Sequence, residues 1–206
     1  FSAIESGLCR YGVLPLEKSF VDALEKEAAA HDFLLMCDEV QCGNGRSGTL
    51  YAYMQYGLSP DVVTTAKGLG GGLPLGATLL GDKVADLLTP GSHGSTFGGN
   101  PIAAAGALYV LSGLDHDLLP GVTRKSEQIR AALTGAPGVE SVTGLGLMLG
   151  VQTTLPAKEV ASRCIKCGVL VLTAKDKVRL LPALNIPDDL LMQAIGILKD
   201  ICAEGV

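Results

Sequence analysis

DVVTTAKGLGGGLPLG, Asp61 to Gly76, passes from an apolar, β-branched run through one lysine into a loop with four glycines in five residues. Such a run suits a buried strand, so Lys67 stands where a strand ends. Lysine is rarely fully buried without a partner. Glycines directly after it are what a chain uses when its backbone must approach something closely. What that something is depends on the rest of the chain.

Upstream, LEKSFVDALEKEAAAH (16–31) carries Phe20, Leu24 and Ala28 at helical spacing. FLLMCDEV follows, a continuous apolar run closing on two acids, the pattern of a buried parallel strand. LYAYMQYG then reads as a short helical stretch that Gly57 can cap. Strand, helix and strand within about thirty residues make a βαβ unit with parallel strands. In open α/β sheets, ligands bind outside the carboxyl ends of the strands. Asp38 and Lys67 both stand at such ends, so they are expected to face one crevice.

PIAAAGALYVLSGL (101–114) predicts a helix with proline near its start and small residues suited to close packing. The pattern changes near Asp115. Beyond it come a helix near Val122–Leu133, a strand pair in VESVTGLGLMLGVQ and a helix at Lys158–Cys167. Short strands at VLVLT and VRLLPAL and a terminal helix after Pro187 complete the chain. The expected fold class is therefore α/β, a mostly parallel-sheet domain over 1–114 followed by a smaller α/β domain over 115–206.

Composition narrows the function classes. A net charge of −5 opposes a nucleic-acid platform, which needs a basic face. No apolar stretch is long enough to span a bilayer. The six cysteines form no disulfide framework, and Cys164-x-x-Cys167 has neither a second pair nor a neighbouring histidine, so it reads as structural and no metal is expected. A reducing, cytoplasmic setting fits this usage. The sequence begins with Phe1 rather than Met, which leaves an upstream targeting segment open. Glycine is abundant at 27 residues, gathered in four clusters that point to sites built from backbone. LLMCDE echoes an ATPase strand, but the chain has no G-x-x-x-x-G-K-[ST] loop. GLGLMLG misses the dinucleotide spacing by one residue.

An amine and a carboxylate at one sheet edge, ringed by glycine loops, suit a particular chemistry. Lysine amines form Schiff bases with carbonyls, and pyridoxal phosphate uses that bond while pairing its ring nitrogen with an acid. GSHGSTFGGNP (91–101) has the backbone N–H groups and hydroxyls that a phosphate needs. Together LLMCDEVQCGNGRSGTLYAYMQYG, DVVTTAKGLGGGLPLGA and PGSHGSTFGGNP resemble the class III, fold-type I, pyridoxal-phosphate-dependent aminotransferases, and among them the acetylornithine aminotransferases.

The resemblance implies that Lys67 is the catalytic lysine that carries the cofactor and moves the proton. By the same resemblance Asp38 would pair with the ring nitrogen and Gln41 would bond the ring oxygen. Thr96, with Ser95 beside it, would reach the phosphate of a cofactor held mainly by the other subunit, so a homodimer with shared active sites is implied. Arg179 would clamp the α-carboxylate of glutamate or 2-oxoglutarate. The implied reaction moves the terminal amino group of N-acetylornithine to 2-oxoglutarate. Ornithine, succinylornithine or 4-aminobutyrate are alternative donors, and an inactive fragment that only folds or assembles is the reading from another class.

Departures from the family pattern concern substrate choice more than cofactor. The phosphate cradle, stacking aromatic and second arginine of the family's N-terminal half lie outside these 206 residues. Arg10 stands where the family has a glutamate, and Thr143 stands where it has an arginine.

Overall fold

The computed structural model describes the backbone of residues 2–5 and all of residues 12–206; Arg10 lies outside the described residues. The chain divides into two compact units. One comprises Leu16–Asn44, Thr49–Asp115 and the first strand; the other gathers residues 12–15, Gly45–Gly48 and His116–Val206.

The first unit is built on a four-stranded sheet in the order β1 (Ser2–Glu5), β2 (Leu35–Asp38), β3 (Val62–Thr65) and β4 (Ala77–Leu80). β1, β2 and β3 are parallel, and β4 is antiparallel to β3. The expected crossover between β2 and β3 is present. Its helical part is a 3-10 turn, Ala52–Tyr56, which Gly57 closes in left-handed backbone. Asp61 aligns the entry to β3. Its N–H donates to the Leu35 carbonyl at 2.8 Å, and its Oδ2 accepts from the Leu35 N–H, also at 2.8 Å. The two strands therefore start in step.

Helix α1 (Lys18–His31) lays Val21, Leu24 and Ala28 on this unit's core with Leu35, Cys37, Leu58 and Val63. The stripe is displaced from the one expected. Phe20 sits at its edge and is 53% exposed, while Val21 is fully buried. A 3.6-residue period places both within one broad apolar arc, and only packing selects between them.

Helix α2 (Pro101–Ser112) begins as the sequence predicts. Pro101 occupies the first turn, and the Asn100 side chain accepts from the Ile102 and Ala103 N–H groups at 2.9 and 3.3 Å. These bonds satisfy two of the four N–H groups that every helix start leaves free. Its buried residues are small, Ala103 and Ala107, while Ile102, Leu108 and Tyr109 point outward and are largely exposed.

In the second unit the sheet runs β5 (Val139–Leu145), β6 (Met148–Thr153), β8 (Lys177–Leu180), β7 (Leu172–Ala174), and every neighbouring pair is antiparallel. Helices α3 (Leu118–Leu133), α4 (Ala157–Lys166) and α5 (Asp188–Ala203) supply the other side of its core. Ile129, Leu133, Leu149, Val151, Val160, Val178, Leu198 and Cys202 meet there, most of them with no exposed surface. Burying each large aliphatic side chain contributes about 1.5–3 kcal/mol. Cys164 belongs to this core, whereas Cys167 is exposed at the end of α4, and both are free thiols. No helix among the described residues is long and apolar enough to cross a membrane.

The glycines after Lys67 explain themselves here. Lys67–Gly70 forms a second 3-10 turn against which α2 packs. A Cβ on Gly106 of α2 would lie 3.0 Å from the Gly70 carbonyl oxygen, and one on Gly71 would lie 3.1 Å from Val110 Cγ2. The close approach these glycines permit includes this helix. Alanine normally improves a helix over glycine by about 1 kcal/mol. At Gly106 the overlap should outweigh that gain, since forced overpacking costs about 1–3 kcal/mol. Gly106→Ala is expected to lower stability by about 1 kcal/mol, read from the urea midpoint.

Candidate active site

The carboxyl edge of β2 and β3 carries the first group of predicted residues. Asp38 ends β2 and pairs in register with Thr64 of β3. Its Oδ1 accepts from the Val40 N–H at 3.0 Å and from the Thr64 hydroxyl at 3.1 Å. Two donors on one oxygen hold the half-buried carboxylate in a single orientation. The Glu39 N–H donates to the Thr64 carbonyl at 2.8 Å, which extends the strand pairing one residue past Asp38. Gln41 follows in the turn, half buried.

Lys67 lies two residues beyond the end of β3 and is exposed. Its φ is +51°, a left-handed backbone that costs an L-residue about 1–2 kcal/mol. The turn from extended strand into left-handed backbone occurs at the lysine itself. Asp38 and Lys67 thus leave the same edge of two adjacent parallel strands, as the βαβ reading requires. Residues of sparsely populated backbone cluster at functional sites because their surroundings must hold them there.

Ser95 and Thr96 occupy the exposed loop before α2 in the same unit. Arg179 belongs to the second unit. It lies on β8, in register with Gly150 of β6 and Leu172 of β7. Its Nε is shielded from solvent without a hydrogen-bond partner among the described residues. A buried N–H left in this state costs about 1–3 kcal/mol. A bidentate carboxylate would satisfy it, because fork geometry uses two parallel N–H groups.

Several supporting residues were not singled out from sequence. Asn44, which follows Gly43 in the glycine loop, is buried and donates from Nδ2 to Thr65 Oγ1 at 3.1 Å and to the Ala66 carbonyl at 3.0 Å. Glu39 is fully buried. Its carboxylate accepts from the Tyr53 N–H at 2.9 Å and from the Cys42 thiol at 3.0 Å, tying the crossover to the end of β2. Burial pushes the neighbouring Cys37 thiol up to about 12, with the charge of Glu39 adding to it, so Cys37 acts as an apolar filler.

In the second unit, Arg46 organises its surroundings by donating to the carbonyls of Leu147 and Pro182. Beside Thr143, where the resemblance leads one to expect an arginine, other cations are present. Lys177 Nζ donates to Thr143 Oγ1 at 3.0 Å, and Arg130 donates to the Val142 and Gly144 carbonyls. Spacing alone offers no signal for such bonds.

An oriented carboxylate and a strained lysine stand at the carboxyl edge of parallel strands, the place where open α/β sheets bind their ligands. The chain belongs to the aminotransferase class-III family, whose model matches residues 4–202. An acetylornithine aminotransferase of Haemophilus ducreyi is 47% identical over 195 residues, covering 94% of this chain and 50% of that protein. A succinylornithine transaminase of Salmonella paratyphi B is 44% identical over 188 residues, covering 86% of this chain and 46% of that protein. Among solved structures, the N-acetylornithine aminotransferase from Stenotrophomonas maltophilia K279a is similar with a TM-score of 0.87 and 34% identity, over 98% of this chain and 56% of that one. The chain spans about half the length of the curated relatives it matches.

Burial raises the Glu39 carboxyl above its ordinary range, against the opposing pull of the Cys42 thiol and the Ala52 and Tyr53 amides. The folded state therefore holds this proton more tightly than the unfolded chain does. Its contribution is fully present below the ordinary carboxyl pKa and is lost as pH rises through the raised value. Glu39→Gln removes that step. As pH rises above the ordinary carboxyl value of about 4, the wild type should lose unfolding free energy relative to the variant, measured by urea denaturation at each pH.

Proposed function

We propose that this chain is the part of a pyridoxal-phosphate-dependent aminotransferase that supplies the cofactor lysine and the ring-nitrogen acid. The amino donor is N-acetylornithine and the acceptor is 2-oxoglutarate. The single observation that carries the reading is the shared strand edge of Asp38 and Lys67, the acid oriented by two donors and the lysine in left-handed backbone. The donor set fits the cofactor. One carboxylate oxygen of Asp38 is engaged by Val40 and Thr64, which leaves the other to hold a protonated ring nitrogen. The Gln41 amide can donate to a ring oxygen. When bound, pyridoxal phosphate supplies an aldehyde that takes a primary amine and a ring that accepts the electron pair released at the substrate carbon.

The chain's own residues divide the remaining work. Asp38 keeps a proton on the ring nitrogen, because a fixed negative charge at that atom favours its protonated form. Lys67 Nζ holds the cofactor between turnovers and, once displaced, carries a proton at the reacting carbon. Arg179 orients the α-carboxylate of glutamate or 2-oxoglutarate, for which its unpartnered Nε is prepared. Ser95 and Thr96 reach the phosphate of a cofactor held by a second copy. Their exposure in a loop leading into α2, whose outer face is apolar at Ile102, Leu108 and Tyr109, supports a homodimer with shared sites.

The names of the relatives favour an acylated ornithine as donor, and acetyl is chosen over succinyl on the identity of 47% against 44%. The test uses the complete protein purified with pyridoxal phosphate. Wild type should show visible absorption that Lys67→Ala abolishes, and N-acetylornithine should bleach it. Wild type without a Lys67-dependent band defeats the reading. Arg179→Lys should raise KM for 2-oxoglutarate roughly tenfold to a hundredfold, with kcat changed less than about threefold, in steady-state assays.

A further inference from the structure

Asn44 stands at the junction of the two loops that leave the sheet edge. It is buried and itself left-handed, with φ +55°. Asparagine is among the few side chains other than glycine that accept this backbone readily. Its amide nitrogen donates to Thr65 Oγ1 and to the Ala66 carbonyl, so both bonds land on the two residues that precede Lys67. On the far side of the lysine, a Cβ on Gly68 would lie 3.9 Å from Asn44 Cβ. One side chain therefore brackets Lys67 along the chain.

The backbone at that point needs such support. Ala66 is extended, with φ −164° and ψ −147°, and Lys67 turns at once to φ +51°. Nothing intrinsic to an Ala-Lys pair favours this sequence of angles. If the Ala66 carbonyl were free to rotate, the peptide joining it to Lys67 would rotate with it. The direction in which the lysine side chain leaves the strand edge would then change.

We propose that Asn44 is a positioning residue for Lys67. By fixing the Ala66 carbonyl it sets the departure direction of the lysine, and so the line along which the amine meets the group held at Asp38. This rests on the reading of Lys67 as the cofactor lysine. The amide is suited to the task because it donates to a carbonyl, which an aspartate of the same size cannot do. The same link ties the loop that follows Asp38 to the end of β3, so the acid and the amine share one support.

The test uses the complete protein purified with pyridoxal phosphate, as wild type, Asn44→Gly and Asn44→Asp. Glycine keeps the left-handed backbone and deletes the amide; aspartate keeps the size and replaces the donor with an acceptor. In both variants the pH midpoint of the Lys67-dependent absorption should move by about half a unit or more. The kcat should fall about tenfold or more while KM for either substrate stays within about threefold. The aspartate variant should be at least as impaired as the glycine variant.

A residue that only stabilises the fold would lower the melting temperature and leave the absorption midpoint and kcat in place. That result overturns the proposal. Should Asn44→Gly fail to fold, Thr65→Val removes the hydroxyl arm alone and should shift the midpoint in the same direction by less; an unmoved midpoint there is equally fatal. Wild type with no Lys67-dependent band would sink the functional reading and this proposal with it. A band present in wild type and unmoved in the variants would sink this proposal alone.

Discussion

Parallel pairing of Leu35–Asp38 with Val62–Thr65 is the constraint on which the first unit's site depends. Side chains alternate along a strand, so a slip of one residue would turn Asp38 to the opposite face and separate it from Thr64. The register is held at both ends. Asp61 bonds Leu35 through backbone and side chain where the strands begin, and Glu39 and Asp38 bond Thr64 where they finish. A carboxylate and a lysine separated by 29 positions in the numbering (67 − 38) are thereby delivered to one edge.

Edges of this kind are made of loops, and loops need anchoring before they can hold a side chain in place. Here the anchors are polar and buried. Glu39 accepts from the crossover amide of Tyr53, and Asn44 donates to the end of β3. Inside a protein such bonds are costly to leave half made, so each rigidifies the loop it closes. Glycine serves the same end by a different route: Gly70, Gly71 and Gly106 let α2 lie close against the lysine turn. Strain at Lys67 is thus carried by neighbours on more than one side.

Much of this was legible because the determining patterns are local. β-Branched and apolar runs mark β2 and β3, Pro101 marks the start of α2, and a helical connection of more than a dozen residues between the two strands points to a parallel crossover. Asp38 and Lys67 could be named because each stands at the end of such a run, and Gln41 only because the stretch resembles a known family. What escaped was partnership. Glu39 reads as one of two adjacent acids, yet it is buried while Asp38 is half exposed, because amides and a thiol from the next turn satisfy it. Asn44 looks like one more polar residue in a glycine loop, although its amide spans 22 positions to Ala66. Phe20 and Val21 share an apolar arc, and periodicity could not say which would be enclosed.

The sequence by itself determined β2 and β3, their parallel sense, the main helices and the residue types that stand at the strand ends, since these follow from backbone preference and hydrophobic period within a few residues; β1 and β4 carry no such pattern and emerged only from strand pairing. Only the tertiary structure decided which polar groups satisfy one another, which glycines serve helix packing, and that the second sheet is antiparallel throughout. Those outcomes turn on distances of about 3 Å between atoms far apart along the chain, and hydrogen bonding and close packing are sensitive to that distance and not to sequence separation.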